Sequence, residues 1–289
     1  MKRLLPLLLP ILTVLPGCSV SSAINAFVPS SGYRVVPDIT YGEGQRRTLD
    51  VYVPDGADGG TPMLVFFYGG SWDSGEKEAY RFAGQAFASR GYVTAIPDYR
   101  IYPEVRFPDF LKDASAAVAW AVTHGGEYGA APGPVFLAGH SAGAHIAAML
   151  TLDRQWLGEA GLSPCGAIRA TVGLAGPYDF LPLKSEVLKE IFGPEATRPR
   201  SQPINFVTGT APPMLLVTGD SDTTVRPRNT DNLAAKIRER GGEVEVIHYD
   251  GIGHTPLVGA LAAPLRRLAP VLDDTDAFLR GRRQREPCR

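Results

Sequence analysis

The sequence has little cysteine, three residues in 289, at Cys18, Cys165 and Cys288. No Cys-x-x-Cys pair and no His-Glu-x-x-His segment occurs, so the ligand spacings of a dedicated metal site are missing, and no metal or other cofactor is expected. Net charge is equally scarce. Lys plus Arg number 29 against 30 Asp plus Glu, a formal net charge of -1, which offers no field to gather nucleic acid or a strongly anionic ligand. Nor is there an apolar run of the roughly 20 residues that a spanning helix requires. With 44% hydrophobic and 20% charged residues, disorder and a polytopic membrane protein are both excluded and a sizeable globular core is expected. The 32 glycines and 25 prolines exceed average shares of about 7% and 5% without any repeat, which points to many tight turns between short elements.

The first residues read as an address. Met1-Lys2-Arg3 is a basic start, and the apolar stretch Leu4 to Leu15 is too short to span a bilayer, which is the grammar of a signal peptide. It ends in Leu15-Pro16-Gly17-Cys18, similar to a bacterial lipobox except that Pro16 stands where small residues are usual. Residues 1–18 are therefore expected to be removed up to an acylated Cys18, with 19–46 as tether and lead-in and 47–289 as one domain. The expected location is the bacterial cell envelope: lipid-anchored at a membrane, with Ser19 suggesting the outer one, or periplasmic or secreted if Cys18 stays unmodified. In that oxidising setting Cys165 and Cys288 are free to pair if the fold brings them together.

The rest alternates strand and helix. Leu49 to Val53 alternates and ends at Pro54, as an edge strand does. Met63 to Phe67 is a continuous apolar run of the kind buried on both faces of a parallel sheet, and similar runs recur at 92–96, 135–138, 170–174, 214–217 and 244–249. Helical segments at 79–89, 110–122, 142–152 and 229–240 fall between them, the last stopped by Gly241-Gly242. This alternation predicts an α/β fold, a mostly parallel, doubly wound central sheet with helices on both faces. In such a sheet ligands bind beyond the carboxyl ends of the strands.

One strand runs directly into Gly139-His140-Ser141-Ala142-Gly143 and then into a helix. Gly-x-Ser-x-Gly in that context marks Ser141 as a nucleophile on a sharp turn, with the helix N-terminus aimed at a developing oxyanion. Serine needs a base and an orienting acid, expected later in the chain in the order acid, then histidine. The loop after Met214 to Val217 holds Asp220 and Asp222; Gly219 to Val225 fits Gly-x-x-Asp-x-x-Val through Asp222, with Asp220 as the alternative. Of five histidines, His124 suits a helix end, His140 and His145 flank the nucleophile without an acid loop, and His248 lies within a strand. His254, in the loop Asp250-Gly251-Ile252-Gly253-His254 after the last strand, is the expected base.

On these motifs the chain resembles an α/β-hydrolase of the carboxylesterase branch that includes hormone-sensitive-lipase-like esterases, bacterial feruloyl-esterase-like proteins and kynurenine formamidases. The likeness runs from about Arg47 to Phe278, and implies that Asp98-Tyr99-Arg100, Asp113 and Trp120 are scaffold. The branch carries His-Gly-Gly-x-Trp after its third strand, where this chain has Tyr68-Gly69-Gly70-Ser71-Trp72. The resemblance implies an oxyanion hole from the N–H groups of Gly70, Ser71 and Ala142, while Tyr68 removes the histidine that usually holds this loop, a task its hydroxyl could take over. Trp72 and Tyr178, which follow strand ends, are expected pocket walls, and the proline-rich stretch 184–206 part of a lid. The implied activity is hydrolysis of short acyl or aryl carboxylic esters through an acyl-enzyme on Ser141, without cofactor. Alternatives are an aryl formamidase with the same triad and a non-catalytic binding lipoprotein.

Overall fold

The computed structural model describes residues 24–284 and Cys288. The basic start, the apolar run and Cys18 lie outside the described residues. Among the described residues no helix is long and apolar enough to cross a membrane. Eight strands form one sheet: β1 (Tyr33–Thr40), β2 (Thr48–Pro54), β3 (Met63–Phe67), β4 (Val93–Pro97), β5 (Val135–His140), β6 (Ile168–Leu174), β7 (Met214–Gly219) and β8 (Val244–Tyr249). Their order is β1-β2-β4-β3-β5-β6-β7-β8, antiparallel between β1, β2 and β4 and parallel from there on. The apolar runs explain the middle of the sheet: all five residues of β3 are buried, and full burial of such a side chain stabilises the fold by about 1.5–3 kcal/mol.

Two expectations need correction at the antiparallel end. Residues 33–40, read as lead-in, form the edge strand. β2, read as an edge, is paired on both sides and buried along its length after Thr48. β1 escapes notice because most of its residues are at least partly exposed, and its register is broken between Val36 and Ile39, around Pro37. Proline and a register break are what an edge tolerates.

Helices cover both faces: α1 (Arg81–Ala88), α2 (Asp109–His124), α3 (Ala142–Leu152), α4 (Arg154–Glu159), α5 (Glu186–Phe192), α6 (Arg228–Glu239), α7 (His254–Gly259) and α8 (Val271–Arg280). Period-two alternation in β7 shows the two layers. Leu216 packs in a cluster with Ala144 and Ala148 of α3 and Leu233 and Ile237 of α6. Its neighbours Leu215 and Val217 belong to a cluster with Val271, Leu272 and Leu279 of α8. As expected, α6 ends at the glycine pair, where Gly242 N–H donates to the Ile237 carbonyl at 2.9 Å. Asp113, fully buried in α2, accepts from Arg47 and Arg100 at 2.6–2.9 Å and ties β2's approach to the loop after β4. Cys165 and Cys288 form a disulfide across 123 residues of chain.

Candidate active site

The turn from β5 into α3 is as tight as its sequence requires. Ser141 sits at φ 55°, ψ -121°, a region costing an L-residue about 1–3 kcal/mol. A Cβ on Gly139 would come within 2.4 Å of the Gly143 carbonyl oxygen, and one on Gly143 within 2.0 Å of the Phe67 oxygen. Only glycine at both places lets the helix start this close to β3 and β5. Five described non-glycine residues have left-handed φ, and four of them, Ser71, Trp72, Ser141 and Ala175, stand just beyond the carboxyl ends of β3, β5 and β6. Strain collects where the fold class places its ligands.

The loops after β7 and β8 bring Asp222 and His254 to that edge. His254 Nε2 lies 2.9 Å from Ser141 Oγ, and His254 Nδ1 lies 2.7 Å from Asp222 Oδ2. The other Asp222 oxygen accepts the N–H groups of Thr224 at 2.9 Å and Val225 at 2.8 Å, so the buried carboxylate is fixed before it meets the imidazole. An acceptor-only partner assigns the proton to Nδ1 and leaves Nε2 free to accept from the serine hydroxyl. Asp220 goes elsewhere: it and Asp231 flank the two ring nitrogens of the exposed His248 at 2.7 and 3.0 Å. Among the described residues, none of the other histidines hydrogen-bonds to Ser141 or Asp222. His124 pairs with Glu127 at its helix end, and its ring stacks on Trp120.

Beyond β3, Gly70, Ser71 and Trp72 all have positive φ, which turns the loop back over the nucleophile. A Cβ on Gly69 would be 3.0 Å from Ser141 Cβ. Among the described residues, the N–H groups of Gly70, Ser71 and Ala142 meet no acceptor, leaving three donors beside the serine. Tyr68 holds this loop in place of histidine. Its hydroxyl donates to Asp98 Oδ1 at 2.7 Å and accepts from Arg46 Nη2 at 2.8 Å. Asp98 also accepts the Lys77 N–H, and Arg46 donates to the Gly75 carbonyl at 2.6 Å. Burial pushes the Tyr68 phenol well above its ordinary range, which keeps it a donor. No motif pointed to Arg46; its partners lie 22–53 residues away.

A cleft of about 550 Å³ opens over Ser141, with Ser71, Trp72, Phe180 and Leu188 in its wall, within the range usual for small-molecule sites. Trp72 borders it as expected and packs edge-on against Phe192 at 4.8 Å. The 184–206 stretch contributes Lys184, Ser185 and Leu188 to the rim. Tyr178, expected as a wall, is a core residue instead. It is fully buried against α3 and α6 residues and lies over Gly173 and Gly176, whose missing side chains make room for the ring.

His140 and His145 are buried beneath the site. His140 Nε2 is 3.3 Å from the His254 carbonyl oxygen, and His145 Nε2 is 2.7 Å from that of Ser201. Burial pushes His140 down from 6.5 to about 3 and His145 to about 4, so both stay neutral. The unfolded chain binds a proton on each below pH 6.5 and the folded chain does not until far lower, so stability is present above 6.5 and lost as pH falls. The expected loss is up to about 1.4 kcal/mol per histidine per pH unit. Urea midpoints at pH 7 and 5 check this: His145→Asn should flatten the difference, and an unchanged difference would contradict the assignment.

The BD-FAE family pattern matches residues 49–237. A probable isoprenylcysteine alpha-carbonyl methylesterase of Arabidopsis thaliana is 32% identical over 250 residues, 79% of this chain and 52% of that relative. A kynurenine formamidase of Salmo salar is 31% identical over 153 residues, 53% of this chain and 49% of the relative. The chain thus spans about half the length of these relatives. Among solved structures, esterase 2 of Thermogutta terrifontis superposes with a TM-score of 0.70 at 25% identity, covering 88% of this chain and 96% of that one. The family match runs from β2 through most of α6, taking in the serine and the acid and stopping before the histidine, and on it the chain belongs to the BD-FAE family of α/β-hydrolases.

Proposed function

We propose that the chain is a serine carboxylesterase for short acyl or aryl esters, working through an acyl-enzyme on Ser141. The observation that carries this is the continuous Ser141–His254–Asp222 hydrogen-bonded chain beside three unpartnered N–H groups. Ser141 Oγ attacks the ester carbonyl while its proton passes to His254 Nε2. Ser71 and Ala142, with Gly70, donate to the oxyanion as it forms. The imidazolium then returns the proton to the departing alcohol, Asp222 remaining ionised and holding the ring. Water, deprotonated by His254, repeats the sequence on the acyl-enzyme and frees the acid. The test is turnover of p-nitrophenyl esters from acetate to decanoate, whose chain-length optimum reports pocket depth; loss of turnover in Ser141→Ala supports the reading. The likeness to a kynurenine formamidase favours one second reading, and an aryl formamide turned over faster than every ester would replace esterase with formamidase. No turnover of either class would leave a binding protein.

The signal-like start and the disulfide, which persists in oxidising compartments, support a further reading: Cys18 carries acyl chains and anchors the enzyme to a membrane of the bacterial envelope. Each buried methylene contributes about 0.8 kcal/mol, so several chains suffice. Cys18→Ser should then move the protein from the membrane pellet to the supernatant. Unmodified protein already in the supernatant would overturn the anchor.

A further inference from the structure

Three cations line the cleft. Lys184 comes from the segment after β6, and Arg226 and Arg228 from the chain that follows the acid loop. Among the described residues none of the three side chains has an ion-pair or hydrogen-bond partner, and no Asp or Glu lines the cleft. The acids close by in sequence are engaged elsewhere. Asp222 holds His254, Asp220 and Asp231 flank His248, Asp179 accepts from Asn232 at 2.7 Å, and Glu186 pairs with Lys189 at 2.7 Å. A formal net charge of -1 for the whole chain therefore hides a one-signed patch at the reaction site. A cleft lined by one sign focuses its field on what enters, and the guanidinium fork matches the geometry of a carboxylate.

We propose that the ester this site takes carries a carboxylate, held by Lys184, Arg226 and Arg228 while its scissile carbonyl lies at Ser141. This rests on the esterase reading and narrows its substrate class. The apolar part of the wall, Trp72, Phe180 and Leu188, then receives the carbon chain or ring between the two polar ends.

The test compares two matched pairs on the full chain. In the acyl group, the p-nitrophenyl monoester of adipic acid is set against its neutral adipamic analogue. In the leaving group, p-acetoxybenzoate is set against p-acetoxybenzamide. At least one pair should show kcat/KM about tenfold higher for the carboxylate member at low salt, the size of a charge-assisted contact at an exposed site. The ratio should fall toward one at about 1 M salt, where the screening length is about 3 Å, and in the triple variant Lys184→Gln, Arg226→Gln, Arg228→Gln. Neutral esters turned over as well as their charged partners in both pairs would overturn this inference alone, as would a ratio that the triple variant leaves unchanged. No turnover of all four esters would overturn the esterase reading, and this inference with it.

Discussion

Ser141→Ala is expected to lower kcat by about 10⁶, the size of the loss when a serine hydrolase is deprived of its nucleophile, while the thermal midpoint stays close to that of the parent. The two readouts separate because the serine's backbone, not its hydroxyl, builds the turn. Alanine has the same Cβ as serine and meets the same strain at φ 55°. The bonds of the turn, from Ser141 N–H to the Leu174 carbonyl and from His145 N–H to the Ser141 carbonyl, also persist. What disappears is Oγ, the one atom that His254 Nε2 can activate. Steady-state hydrolysis of p-nitrophenyl butyrate and a melting curve on the same preparation are sufficient. A folded variant retaining more than about a hundredth of parent activity would place the nucleophile elsewhere.

The second large effect separates two aspartates that stand two positions apart. Asp222→Asn should cost about 10⁴ in kcat, as replacement of the buried triad acid does in another fold, and Asp220→Asn less than about threefold, as for a surface position. Asparagine at 222 keeps an oxygen for the N–H groups of Thr224 and Val225, so the loop survives. Its amide nitrogen, turned toward His254, favours the tautomer protonated on Nε2, which cannot accept from Ser141. Asp220 bonds the exposed His248 of the edge strand β8 rather than His254, and its loss is expected to reach turnover only weakly. The reverse ranking would overturn the assignment of the acid.

The residues of the proposed triad were legible because each carries a local signature: glycines around a turn, an aspartate at a fixed distance past a strand, a histidine in a glycine-rich loop. The parallel strands were legible because residues buried on both faces leave unbroken apolar runs. Features made by distant contacts were not. Tyr68, Asp98 and Arg46 meet across tens of residues, so the sequence could show that the usual histidine was missing but not what braces its replacement. Tyr178 was misplaced by the rule that residues after strand ends face the ligand. Gly173 and Gly176, which open the core for its ring, were the overlooked signal. β1 was lost because an exposed edge strand has no apolar run to announce it.

The bond between Ser141 and His254 joins residues 113 positions apart, and that between Asp222 and His254 residues 32 apart. Between serine and histidine lie β6, β7 and β8, each of which must join the sheet in parallel, the pairing whose long loops make it slow to form. A chain that has collapsed and formed its nucleophile turn but not yet docked β8 possesses a serine without a base. Recovery of the proposed ester turnover after dilution from denaturant is therefore expected only once β8 has joined the sheet, and does not report collapse.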